Sequence, residues 1–181
     1  MISRHFHTIL LMLLVFSGLL VSCHNAQTGT VVDDEKKAKV DKEAPYVEGN
    51  KKILQWESEE MELFIKRYQW DMQKTGTGLY IQILDPGHGD LFKEGDLVKM
   101  DYQTFLLTGE KIYDSQTDGE KIFSVAKSEE IEALHEAAQM LRPGAQARLV
   151  IPSYLAYGVA GDGNKVDGRL SLAMTISVKN Q

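Results

Sequence analysis

Pro152 is the residue that most constrains what this chain can fold into. It ends the apolar run Leu149-Val150-Ile151, because a proline cannot donate to a sheet ladder and so closes a strand or confines it to an edge. Ser153-Tyr154-Leu155-Ala156-Tyr157-Gly158 then leaves the strand as a loop. Upstream, Leu141-Arg142-Pro143-Gly144 carries the proline and glycine of a helix stop. The local order is helix, tight turn, strand, and a loop that presents Tyr157. A tyrosine there offers an apolar ring and one hydroxyl donor, which suits the rim of a mostly dry pocket. The same ring could also simply cap a core.

The rest of the C-terminal half alternates with period two. Leu170, Leu172, Met174, Ile176 and Val178 point one way, with Ser171, Thr175, Ser177 and Lys179 on the other face. Ala145, Ala147, Leu149 and Ile151 alternate with Gln146, Arg148 and Val150, and Val98, Met100 and Tyr102 with Lys99, Asp101 and Gln103. Thr108-Gly109-Glu110 makes a hairpin into Ile112-Tyr113-Asp114-Ser115, and Ile122-Phe123-Ser124-Val125 is a short strand. Ser128 reads as a helix N-cap, with Glu129, Glu130 and Glu132 in the first turn and Ile131, Leu134, Ala138 and Leu141 on one face. The sum is an α+β fold, an antiparallel sheet with one helix on one face. Ahead of it, Met61, Phe64, Ile65, Tyr68 and Met72 give residues 53–74 the apolar stripe of a helix. That helix either straps onto its own domain, with Trp70 packing against it, or dimerises. Thr75-Gly76-Thr77-Gly78 breaks it.

Residues 23–52 are polar, with Asp33-Asp34-Glu35-Lys36-Lys37 and Asp41-Lys42-Glu43 mixing both signs. Too few apolar residues occur there to offset the entropy of ordering, so the segment reads as a flexible tether, or else as a docking segment. The first 22 residues read as a secretory signal: Arg4 and His5 precede the apolar Ile9-Leu10-Leu11-Met12-Leu13-Leu14-Val15-Phe16. Leu20-Val21-Ser22-Cys23 resembles a bacterial lipobox, which implies lipidation of Cys23 and attachment to a membrane. His24 stands where an aspartate would resemble an inner-membrane retention signal, which favours the outer membrane of the cell envelope. The net charge of −6 shows no basic stripe, so nucleic acid is not an expected partner. One cysteine and five scattered histidines give neither a disulfide framework nor metal-ligand spacing.

Ile151-Pro152-Ser153-Tyr154-Leu155-Ala156-Tyr157-Gly158 resembles the I-P-x-x-L-A-Y-G signature of FKBP-type peptidyl-prolyl isomerases. Met140-Leu141-Arg142-Pro143-Gly144 is similar to the family's M-x-x-G turn. Val98-Lys99-Met100-Asp101-Tyr102 and Lys111-Ile112-Tyr113-Asp114-Ser115 resemble its V-x-V-x-Y and F-D-S elements. The resemblance implies an FKBP-like half-barrel sheet wrapped around one helix over residues 75–181, with residues 53–74 as an N-terminal helical extension. It implies a noncovalent peptidyl-prolyl cis-trans isomerase that needs no cofactor or metal and takes proline-containing polypeptides. Tyr102, Tyr113, Phe123, Ile131 and Met174 would form the apolar walls of its pocket, Leu134 the floor, and Asp114 and Tyr157 the catalytic polar groups.

The arrangement of lipobox, tether and helix is similar to gliding-motility-associated lipoprotein isomerases. Leu134 stands where the family usually has tryptophan, Lys121 where it has an aromatic residue, and Met174 where phenylalanine is common. Glu130 replaces an aliphatic residue, and Lys165-Val166-Asp167-Gly168 stands where members often carry I-P-P. These departures lead us to expect lower turnover or altered peptide preference, and weak binding of the family's macrolide inhibitors. The competing expectation is a binding module or chaperone that holds proline-containing segments without useful turnover.

Overall fold

A computed structural model describes residues 31–180. Cys23 and the segment read as an export signal lie outside the described residues. The chain divides into two units, Met1–Glu48 and Gly49–Gln181. Helix α1 is assigned to Val31–Tyr68, and its residues from Gly49 on belong to the second unit. It begins well before the residue 53 expected from its apolar stripe. Residues 31–52, which their composition assigns to a flexible tether, are helical instead. The helix also stops short of 74, because Gln69 takes a positive φ of 54°. Met72 therefore follows the helix, and Gln73–Lys74 form a short strand, β1.

The second unit is an antiparallel sheet of seven strands. After β1 come β2 (Tyr80–Asp85), β3 (Leu97–Leu106), β4 (Lys111–Asp114), β5 (Lys121–Ser124), β6 (Gln146–Ile151) and β7 (Leu172–Val178). The order is β1-β2-β6-β7-β3-β4, with β5 also on β3. Strand β3 uses one edge for β7 and divides the other. Leu97 to Met100 pair with β5, and Gln103 to Phe105 pair with β4. Between the two partners the chain makes a one-turn helix, α2 (Ser115–Asp118). The split edge leaves an opening beside Asp101 and Tyr102.

One face of the sheet carries the main core. Val98, Met100, Ala147, Leu149, Ile151, Leu172, Met174, Ile176 and Val178 pack with Ala133, Leu134, Ala137 and Ala138 of helix α3 (Glu132–Gln139). These are the residues that the period-two pattern assigns inward. Helix α3 starts three residues later than Ser128 leads one to expect, and Ile131 caps it without a side-chain bond. Ser128 instead closes a loop on Ser124, donating to its carbonyl at 3.1 Å and accepting its N–H at 3.0 Å. His135 is satisfied within the core: Nδ1 accepts the Ala126 N–H at 3.0 Å and Nε2 lies 3.1 Å from the Ser128 carbonyl.

The other face is covered too, by α1. Met61 and Phe64 pack on Tyr80, Leu107, Val150 and Ala173. Burying each large side chain contributes about 1.5–3 kcal/mol. Trp70 packs against the same patch, with Arg148 stacked 5.0 Å above its ring. The helix is a strap on its own domain, as one of the two readings of the stripe has it. Val150 and Ser171, which alternation points outward, are buried because α1 lies over them.

Candidate active site

The split edge of β3 positions one side of the site, and the loop after Pro152 the other. Leaving β6, Ser153–Leu155 form a 3-10 turn. The Ser153 carbonyl accepts the N–H of Ala156 at 3.0 Å and of Gly158 at 2.8 Å. Those two bonds bracket Tyr157 and fold its ring back over the sheet. Tyr154, earlier in the turn, donates to the Thr77 carbonyl at 2.8 Å. Its hydroxyl fills the space where a Cβ on Gly78 would sit, at 2.3 Å, and Gly78 holds φ +98°. Only glycine fits there.

A cavity of about 210 Å³ is lined by Tyr102, Thr104, Tyr113, Asp118, Lys121, Ile131, Tyr157, Asp162, Leu172 and Met174. Drug-sized sites run to roughly 300–1,000 Å³, so this one suits a single side chain with its flanking peptide groups. Five of the expected residues meet here: Tyr102, Tyr113, Ile131, Met174 and Tyr157. Phe123 and Leu134 do not line it. Both are buried in the core. Burial pushes the Tyr157 phenol up to about 12, with the charges of Glu130 and Asp162 adding to it. Its hydroxyl has no partner among the described residues and is free to donate into the cavity.

Asp114 stands elsewhere. It lines a neighbouring hollow of about 280 Å³ with Gln103, Gln116 and Thr175, and Tyr102 is common to both. Its Oδ1 accepts the Gln116 N–H at 3.0 Å, capping α2. Its Oδ2 takes Lys111 Nζ at 2.6 Å and Gln103 Nε2 at 3.1 Å. The Lys111 ammonium first, then the Gln116 and Gln103 donors, hold its carboxyl down at about 2. A larger hollow, about 680 Å³, lies at residues 89–94 beside Gln139 and Arg142 and contains none of these residues.

Charges enter the cavity that the motifs alone do not announce. Lys121 lies 5.0 Å over the Tyr102 ring and 2.7 Å from the Glu130 carboxylate. The Tyr113 hydroxyl donates a hydrogen bond to Asp162, and Asn164 Nδ2 donates to that Tyr113 hydroxyl oxygen at 3.3 Å. Lys165 donates to the Ile112 carbonyl at 2.8 Å and lies 4.6 Å over the Tyr113 ring. The loop after Gly158 is thus clamped to β4 through Tyr113. Burial opposes ionisation of Asp162, yet the Tyr113 phenol and the Val166 and Asn164 N–H groups hold its carboxyl below the usual range. Asp118, whose carboxylate accepts the Asp114 N–H at 2.8 Å, is lowered for the same kind of reason. No spacing rule would have found Asp162. Leu172 was in the inward set of its strand, but nothing marked it as a cavity residue.

A sheet split at one edge around a tyrosine-rimmed cup, with a single helix against its inner face, defines an FKBP-like domain. Residues 89–179, just over half of the chain, match the family described as FKBP-type peptidyl-prolyl cis-trans isomerase, and the chain belongs to that family. Among curated relatives, the FKBP-type peptidyl-prolyl cis-trans isomerase FkpA of Escherichia coli K12 is 33% identical over 90 residues, 50% of this chain and 33% of its own. A probable FkpA of Neisseria meningitidis serogroup B is 27% identical over 140 residues, 76% of this chain and 51% of its own. The chain therefore spans a third to a half of these relatives' length. In fold it is similar to the crystal structure of Escherichia coli FkpA, with a TM-score of 0.59 at 19% identity, over 98% of this chain and 81% of that one.

Proposed function

We propose that this protein is an exported, lipid-anchored peptidyl-prolyl cis-trans isomerase that assists the folding of envelope or secreted proteins. The observation that carries the reading is the Tyr157 hydroxyl, unpartnered among the described residues, at a cavity walled by Tyr102, Tyr113, Ile131, Leu172 and Met174. Rotation about an X–Pro bond faces a barrier of about 18–20 kcal/mol because the planar amide is resonance-stabilised. As the bond twists, resonance and charge separation fade, so a water-poor cup favours the twisted state over the planar one. Acceleration is then differential binding of the transition state, with no bond to any protein atom. The cavity receives the proline ring, and Tyr157 donates to a substrate carbonyl and holds the peptide in place. Asp114 acts at the mouth, fixing α2 and Gln103 beside Tyr102. Phe123 and Leu134 back the walls from the core.

Cys23 carries the lipid, and residues 23–52, helical from Val31, act as the spacer between the cell-envelope membrane and the domain. The spacer and anchor continue the likeness to gliding-motility-associated lipoproteins, with the outer membrane as the site of attachment.

A second reading, a binding module with little turnover, is favoured by the charges of Lys121, Asp118 and Asp162 in the cup, which keep it wetter than an apolar one. An isomerisation assay with a prolyl peptide separates the two. The first reading expects a rate above the uncatalysed one for the full chain, reduced in Tyr157→Phe. Peptide binding with no acceleration supports the second.

A further inference from the structure

Glu57 is a buried carboxylate that the chemistry above does not use. It is 8% exposed, whereas Glu59, Glu60 and Glu62 on the same helix are exposed. No lysine, arginine or histidine pairs with it among the described residues. A carboxylate in that position is costly unless strong donors meet it. Two do, and both reach the same oxygen, Oε1. One is the backbone N–H of Ser153. The other is the Ser171 hydroxyl, at 2.6 Å.

These donors stand on the two sides of the loop that carries Tyr157. Ser153 opens the 3-10 turn, and its own carbonyl holds the N–H groups of Ala156 and Gly158 on either side of Tyr157. Ser171 leads into Leu172, the first residue of β7 and part of the cavity wall. Between them, Arg169 N–H bonds back to the Gly158 carbonyl at 2.7 Å. One oxygen on α1 therefore fastens the way into this loop and the way out of it.

We infer that Glu57 is a positioning residue for Tyr157, so that the N-terminal helix sets the geometry of the site on the far side of the sheet. The inference rests on the role of Tyr157 given under the proposed function. Misplacing a donor by a fraction of an ångström to one ångström loses rate far more readily than stability.

The test uses the full chain, a prolyl peptide and amide hydrogen exchange. Glu57→Ala should lower kcat/KM about tenfold, chiefly through kcat, and speed exchange at Ala156 and Gly158. Glu57→Gln keeps an oxygen for both donors and should stay within about threefold of wild type. In a Tyr157→Phe background, Glu57→Ala should cost less than about a further twofold, since the group it aims is already gone. A folded Glu57→Ala protein with wild-type kcat/KM overturns the inference, as does an undiminished tenfold loss on top of Tyr157→Phe. If Glu57→Ala does not fold, Ser171→Ala removes one of the two ties and should cost about threefold; wild-type kinetics and exchange there overturn the inference. If the wild type itself has no turnover, the role of Tyr157 fails separately. Exchange at Gly158 then still decides whether Glu57 holds the loop, with unchanged protection in the variant counting against it.

Discussion

The ammonium of Lys121 lies 2.7 Å from the carboxylate of Glu130, and both side chains are more than four-fifths buried. The pair sits at the cavity where an apolar wall would be drier. Removing one partner strands the other, so Lys121→Met alone should destabilise the fold by about 1–3 kcal/mol. The double variant Lys121→Phe/Glu130→Val removes both charges together and should recover most of that loss. It should also raise kcat/KM several-fold by drying the cup. Thermal melts and the isomerisation assay check the two parts, and a double variant slower than wild type would mean that the pair contacts substrate.

Tyr157→Phe removes a donor that has no partner among the described residues. Stability should change by less than about 0.5 kcal/mol, while kcat/KM falls about tenfold, the equivalent of about 1.4 kcal/mol in the transition state. Because the phenol is pushed up to about 12, the folded protein holds that proton more tightly than the unfolded chain does. Its stabilising effect is full below the ordinary tyrosine value and fades as pH rises through about 10 to 12. The donor should persist over the same range, so kcat/KM should stay flat to about pH 10. A fall centred below that, absent from Tyr157→Phe, would contradict the buried phenol.

Asp114 has a folded value of about 2 against 3.8 for the free carboxyl. A depressed acid stabilises the fold above its unfolded value and loses that contribution as pH falls from about 4 to about 2. Asp114→Asn should therefore melt lower at neutral pH and show a flatter acid limb, read by melting temperature against pH. Since its carboxylate lines the adjoining hollow with Gln103 and Thr175, the loss of kcat/KM should be smaller than in Tyr157→Phe. An equal or greater loss would put Asp114 in direct contact with the peptide.

Cys23→Ser should move the protein from the membrane fraction to the soluble one, since lipid chains anchor by burying methylenes at about 0.8 kcal/mol each. Fractionation with and without detergent measures it, and unchanged sedimentation with membranes would count against acylation.

Much of this fold was legible because one face of the sheet obeys alternation. Leu172, Met174, Ile176 and Val178 are buried as their spacing demands. Alternation failed at Val150, Ser171 and Ala173, whose second cover is a helix roughly a hundred residues earlier in the chain. A local pattern carries no information about such a partner. Tyr157 was singled out through its motif, since a loop signature of fixed length encodes where the ring must point, and its ring lines the cavity. Asp114 was singled out by the same route, but its surroundings were not: Gln103 reaches it across the β3–β4 pairing, and Lys111 folds back onto it from the start of its own strand. Asp162 and Glu57 were missed because ordinary acidic residues on a loop and on a helix become distinctive only once tertiary contacts enclose them.

The patch under α1 has a practical meaning for anyone who trims this protein. A fragment begun at residue 75 would keep every motif and every wall of the cup. It would nevertheless expose Tyr80, Leu107, Val150 and Ala173 to water as an oily back. Such a fragment should clump at concentrations where one begun at Gly49 stays dispersed, and poor catalysis by the shorter piece would report on its handling in solution, not on the chemistry of its hollow.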